Sequence, residues 1–325
     1  MICLLQRAVR LVAACGVALA CAFGSAHAAD AWPAKPIRWV VPIPPGGGPD
    51  IIARRVAPLL GKRLGQAVVI ENLPGGAHNI AMQAVARSAP DGYTLLHGLT
   101  SLVSNPHLYR LEFDPAVELA PVARLVSTEW VILGTNSLAA QRLEELVAIA
   151  KSGADRVACA ITGGLTEIAC RALAAVSGAP ILQVSYKGGP QALNDLVNGA
   201  VQLRVVEAGI AAPFVQAARV RAIATLNPRR GNSEFGDLRP AAETFPGFEF
   251  VTWQGLMVRA GTPAEHIARL GTELETILAD PDVGASLRAT GNRPAYAPAA
   301  AFDMMLRNDL ARYGRLIREL GIRPE

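Results

Sequence analysis

"IRWVVPIPPGGGPDIIARRVAPLLGKRLGQAVVIEN", residues 37–72, reads as strand, glycine-rich turn, helix and strand. Residues 37–43 and 67–72 are short apolar runs rich in β-branched side chains. Between them a helix from about Pro49 to Leu64 places Ile52, Val56, Leu59 and Leu60 on one face. Two strands joined through a helix pair in parallel, so this stretch alone predicts an α/β fold. Pro58 falls inside the helix, lacks an N–H, and is expected to kink it or end its regular part early.

The turn carries the chemistry. A strand that passes through Gly46, Gly47 and Gly48 into a helix leaves the first backbone N–H groups unpaired and faces the positive end of the helix dipole outward. Such a terminus suits an anion, and glycine lets a carboxylate or phosphate approach the backbone. Pro49 fits the first helical position and Asp50 favours the terminus electrostatically. The arrangement recurs in "ENLPGGAHNI" (71–80), "AITGGLTEI" (160–168) and "SYKGGPQAL" (185–193). Together the four turns predict two lobes facing each other across a cleft lined with N–H donors and hydroxyls, since ligands bind at the carboxyl ends of strands in such sheets.

Outward from this unit the alternation continues. A helix is expected over 79–89, a turn at 90–92 and a strand over 93–98; a second α/β unit has strands at 129–135, 156–160, 181–186, 201–207 and 220–226. Its helices fall at 140–152, 166–178 and 189–199. Residues 227–250 lose periodicity, 251–258 form a late strand, and helices follow at 263–279, 281–290 and 298–320. The helical tail needs a surface to pack on, so the chain is expected to return to the first lobe. The resulting division is 1–29 signal peptide, 30–128 with 227–325 as lobe 1, and 129–226 as lobe 2.

The chain has 325 residues, 51% hydrophobic and 18% charged, enough for two packed cores. Arg7 and Arg10 open an apolar run that ends in "SAHAAD", with Ala26 and Ala28 at the small-x-small positions of a signal-peptidase site. Two alternatives stay open. A permanent anchor requires an apolar span of ~20 residues, longer than this run. Lipidation requires a lipobox, which Cys15 meets too early and Cys21 meets with Ala18 in place of a large aliphatic residue. Cleavage lowers the formal charge of +4 by two and leaves no polybasic patch that would suggest nucleic acid. It also leaves Cys159 and Cys170, either a disulfide or a pair of buried thiols.

Other chemistries find little support. A dinucleotide site needs a third glycine where Ile51 stands. GxSxG, HExxH and CxxC patterns are absent, so no catalytic residue, metal or cofactor is expected. His78, in a glycine turn, is either an anion donor or a solvated loop residue.

"KPIRWVVPIPPGGGPDIIAR", "VVIENLPGGAHNIAMQAVARSAPDGYTLLHG", "NPHLY", "SYKGGPQALNDLVNGAVQL" and "AGTPAEHIARL" together resemble the extracytoplasmic receptors of the tripartite tricarboxylate transporter, the Bug family. The resemblance runs from about Trp32 to the terminal "GIRPE". It implies an α/β, two-lobed periplasmic binding protein of type II (Venus-flytrap), a monomer that closes on a small organic carboxylate in the cleft between its lobes. The implied partners are that ligand and the membrane subunits of a secondary transporter; a sensory role or a periplasmic enzyme are the alternatives. Carried onto this chain, the ligand residues are Pro44, Gly46 and Gly47 in the first turn and Gly76, His78 and Asn79 in the second. Thr162, Gly164 and Thr166 follow in the third turn. Gly163 departs from the family's polar residue, and Val206 stands where an acid is usual, with Glu207 beside it and able to replace it only after a slip in strand register. These departures imply a ligand without an amino group.

Overall fold

A computed structural model describes residues 32–153, 156–162, 164–228, 230 and 235–322. The expected signal segment and the departure at Gly163 lie outside the described residues.

The opening unit folds as expected. β1 (Ile37–Val41) and β2 (Val68–Asn72) pair in parallel, Ile37 opposite Val68 through Val41 opposite Asn72, and α1 (Gly48–Leu64) joins them. The buried face of α1 is Ile52, Ala53, Val56, Ala57 and Leu60, whereas Leu59, expected on that face, is exposed. Pro58 does not end the helix. It lies on the exposed side with Arg54, so the Arg54 carbonyl that loses its intrahelical donor can be hydrated. The stop comes at Gly65, left-handed at φ 73°, whose N–H donates to the Gly61 carbonyl.

The first sheet has six strands. β3 (Thr94–Leu99) runs parallel to β1, and β4 (Leu119–Thr128), β10 (Thr252–Arg259) and β11 (Asn292–Pro298) extend the sheet antiparallel, in the order β11-β4-β10-β3-β1-β2. The second sheet has five: β5 (Trp130–Thr135), β6 (Ala158–Ile161), β7 (Leu182–Ser185), β8 (Leu203–Glu207) and β9 (Val220–Thr225), ordered β7-β6-β8-β5-β9. Around these pack α2 (Asn79–Ala86), α3 (Ser101–Leu108), α4 (Pro115–Glu118), α5 (Leu143–Ser152), α6 (Leu165–Ser177) and α7 (Gly189–Val197). α8 (Ala208–Gln216), α9 (Ala264–Ala279), α10 (Pro281–Arg288) and α11 (Ala299–Glu319) complete the set.

The structure adds α3, α4, β4, α8 and β11, which the periodicity does not reveal. Each carries a proline. Pro106 and Pro213 lie inside α3 and α8, and Pro115 opens α4. In β4 a bulge at Val122 separates the pair Ala123–Leu256 from Pro121–Met257, and β11 shifts register between Pro294 and Ala297. A proline at an irregularity removes little from the ladder but erases the sequence pattern.

The chain passes from the first sheet to the second through Glu129. The Thr225 hydroxyl donates to Glu129 Oε1 at 2.8 Å, and the Leu226 N–H donates to the Trp130 carbonyl, which ties the crossing segments together. One hydrophobic cluster continues across them, from Val40, Leu96 and Phe302 through Phe248, Phe250 and Trp253 to Ile132, Leu173 and Val205. Cys159 of β6 and Cys170 of α6 are both buried and joined in a disulfide, so of the two arrangements open in the sequence the structure takes the bridge. Among the described residues no helix is long and apolar enough to cross a membrane.

Candidate functional site

The first glycine turn is organised from below by Asp50. Its carboxylate, 1% exposed, accepts from the Gly46 N–H at 2.8 Å, Arg54 Nε at 2.8 Å and Asn72 Nδ2 at 2.9 Å. Asn72 Nδ2 also donates to the Ile43 carbonyl, so one carboxylate ties the exit of β1, the head of α1 and the end of β2. Burial pushes the Asp50 pKa up, but the bonds from Arg54, Gly46 and Asn72 and the Arg54 charge outweigh it and hold the group below its ordinary value.

The Gly46 N–H is taken by Asp50, and Pro44, Gly46 and Gly47 are not on the wall of the cleft cavity; from this turn Pro49 is. Gly46 is the glycine that needs its freedom, at φ 86°, whereas Gly47 has an ordinary φ of −76°.

Between the two sheets' strand ends lies a cavity of about 460 Å³. Four helices begin on its wall: α1 at Pro49, α2 at His78, α3 at Thr100 and Ser101, and α6 at Gly164 and Leu165. Thr128, Trp130, Thr252 and Gln254 add polar groups where the chain crosses; Trp130 Nε1 donates to Thr252 Oγ1, and Gln254 Oε1 lies 2.8 Å from His97 Nε2.

The second turn is strained and braced. Ala77 and His78 hold left-handed backbone at φ 51° and 78°, costly for residues with a Cβ. Asn105 Nδ2 offsets this by donating to the Ala77 carbonyl at 2.7 Å and to Asn79 Oδ1 at 2.8 Å. His78 is thereby presented to the cavity with Nδ1 3.0 Å from Ser101 Oγ, and burial pushes its pKa below 6.5, which favours the neutral ring. Gly76 and Asn79 are not on the wall. In the third turn Thr162 and Gly164 reach the wall, while Thr166 is buried behind it and its Oγ1 accepts the Thr162 N–H at 2.9 Å. The fourth turn, 185–193, has no residue on the wall, contrary to the expectation of four turns around one cleft.

Glu207 needs no register slip. β8 and β5 pair without interruption, Trp130 opposite Glu207, and this pairing directs Val206 into the core and leaves Glu207 on the cavity wall. Its carboxyl makes no hydrogen bond among the described residues, and burial raises its pKa above the ordinary 4.5. For an acid whose folded pKa is raised, stability falls as pH rises from the unfolded value through the folded one. Glu207→Gln is therefore expected to melt higher than the wild type at neutral pH and alike below pH 4.5. Calorimetric melts at both pH values check this, and equal melting at neutral pH would refute it.

The wall thus unites His78, Thr162, Gly164 and Glu207 of the expected residues, and adds Thr100, Ser101, Ser104, Asn105, Thr128 and Gln254. A signal for the additions exists in "LTSLVSN" (99–105), where Thr and Ser follow a strand at a helix start, although Pro106 masks that helix. Among the described residues no Lys or Arg lines the wall, and the titratable side chains there are His78, Tyr109, Glu207 and Tyr313.

Two α/β lobes linked by crossing strands, with a cavity between them walled by helix starts, define a two-lobed binding protein of the Venus-flytrap type. Residues 52–322 match the tripartite tricarboxylate transporter family receptor, and the chain belongs to that family of solute-binding receptors. It is 30% identical to protein BugT of Bordetella pertussis, over 96% of this chain and 98% of BugT. Among solved structures it is similar to Rpa4515 of R. palustris with adipate, at 27% identity and a TM-score of 0.77, covering 90% of this chain and 100% of that one. It is likewise similar to MatC of Rhodopseudomonas palustris with bound malate, at 26% identity and a TM-score of 0.71, covering 88% and 100%.

Proposed function

We propose that the protein captures a small organic carboxylate in the periplasm and delivers it to the membrane subunits of a secondary transporter, with residues 30–128 and 227–325 as one lobe and 129–226 as the other. The carrying observation is the convergence of four helix starts on a cavity whose wall has no Lys or Arg among the described residues. Helix N-termini supply N–H donors and positive potential without a fixed cation, an arrangement that takes a carboxylate. The adipate and malate held by two structural neighbours support that ligand class.

Pro49, His78, Ser101 and Asn105 form the side of the cavity proposed to receive the carboxylate, and Thr162, Gly164 and Glu207 the side facing the rest of the ligand. His78 and Ser101 are also the nearest approach to a nucleophile and base. No carboxylate orients the His78 ring among the described residues, so the pair is assigned to positioning rather than to turnover.

A melting screen across mono-, di- and hydroxycarboxylates tests the reading. The true ligand is expected to stabilise the fold by about 2.7 kcal/mol at a hundredfold excess over Kd. Because Glu207 is the carboxyl on the wall, a dicarboxylate binds best when Glu207 is protonated, so its affinity rises as pH falls towards 4.5, while that of a monocarboxylate changes little. A protein stabilised only by amines or neutral sugars would overturn the carboxylate reading, and conversion of the bound compound would overturn the receptor.

A further inference from the structure

The glycine turn left off the cleft wall has a buried cation beneath it. Arg204, the second residue of β8, is 5% exposed and directs its guanidinium at the head of α7. Nη1 donates to the Gly189 carbonyl, and Nη2 lies 3.0 Å from where a Gly189 Cβ would stand. Nε is buried without an acceptor. Among the described residues no carboxylate pairs with Arg204; Asp195, on the same helix, accepts from the Tyr186 hydroxyl at 2.8 Å instead. Burial pushes the Arg204 pKa down, as expected for a cation taken from water without a counterion.

The surroundings add positive potential rather than relieve it. α7 spans nine residues, and its N-cap, Gly188, offers no side-chain acceptor. The first N–H groups of a helix have no intrahelical partner, and the dipole is positive there. Exposed Lys187 precedes the turn. A buried guanidinium at the positive end of a helix is unfavourable twice over, and an anion offsets both terms.

We propose that the head of α7 is a second anion site, separate from the cleft, where an oxyanion of carboxylate or phosphate chemistry sits between Arg204 Nη2 and the N–H groups of Gly189 and Gln191. Glycine at 188 and 189 keeps this approach clear of side chains, which is the use the sequence makes of its fourth glycine pair.

The test uses the full mature chain, with inorganic phosphate and acetate as probes against chloride at equal ionic strength, read by melting and by calorimetric titration. Wild type melts higher in the oxyanions, and the two probes show whether phosphate or carboxylate is preferred. Arg204→Met is expected to weaken the response at least about tenfold, the loss of one charge-assisted hydrogen bond. Gly189→Ala, whose Cβ crowds Nη2 while leaving the charge in place, weakens it too and decides the matter should Arg204→Met fail to fold. Both variants keep whichever carboxylate the cleft takes, since no residue of this turn lines the cavity, and so failure here is separable from failure of the receptor reading. A wild type indifferent to both oxyanions, or an undiminished response in the two variants, would overturn the site.

Discussion

Asp50→Ala is expected to destabilise the protein by about 2–4 kcal/mol. Truncation removes the acceptor that now lies 2.8–2.9 Å from the Gly46 N–H and Asn72 Nδ2, leaving Asn72 with the Ile43 carbonyl alone and the left-handed Gly46 without that bond. The range sits below that of a fully buried ion pair because Arg54 is half exposed and regains water when its partner leaves. Asp50→Asn keeps the shape and two acceptor positions at best, and should fall between. The pH dependence follows from the depressed pKa. Stability from this carboxylate is fully present above the ordinary value of 3.8 and is lost as pH falls through the lower folded value. Urea unfolding should therefore show the full gap between wild type and Asp50→Ala at pH 7 and a closing gap below pH 3.8. A variant as stable as wild type at pH 7 would mean that Arg54 and Asn72 hold the turn without Asp50.

The βαβ unit at 37–72 was legible because each signal there is local: apolar alternation, a glycine turn and a capped helix. The second sheet was legible for the same reason, strand by strand. What escaped were five elements that each carry a proline, β4, β11, α3, α4 and α8, of which β4 supplies Thr128 and α3 supplies Ser101, Ser104 and Asn105 to the cleft. The wall itself was only half readable. A glycine turn announces a helix start, but whether that start faces the cleft depends on where the strand before it lies in the sheet. β6, in the interior, brings Thr162 and Gly164 to the cavity, whereas β7, at the edge, carries 185–193 past it. Glu207 shows the same limit. Its direction follows from pairing with β5 across 77 residues of chain, which no motif beside it records.

The contact least visible in the sequence carries the last expectation, that Gly209→Val weakens ligand affinity about 5- to 100-fold while the protein stays folded. Gly209, in α8 beyond Glu207, meets Gly291, just before β11, backbone to backbone. A Cβ on Gly209 would stand 2.7 Å from Gly291 Cα and 2.9 Å from the Thr290 carbonyl, neither of which is a side chain able to turn away. Gly291 is itself left-handed at φ 75°, so its backbone has little room to yield. Asn292, the next residue, accepts from the Thr128 hydroxyl at 2.8 Å, and Thr128 lies on the cavity wall, so the contact joins α8 to the first sheet beside the cavity. Overpacking of this kind costs about 1–3 kcal/mol, and the part borne by the ligand-bound state alone lowers affinity about tenfold for every 1.4 kcal/mol. Ile210→Ala serves as the control, since Ile210 is exposed on the same helix and makes no such approach. Titration of both variants with the ligand from the carboxylate screen gives the answer, with small-angle scattering to follow the spacing of the lobes. Wild-type affinity in a folded Gly209→Val would show that the backbone contact is incidental to binding.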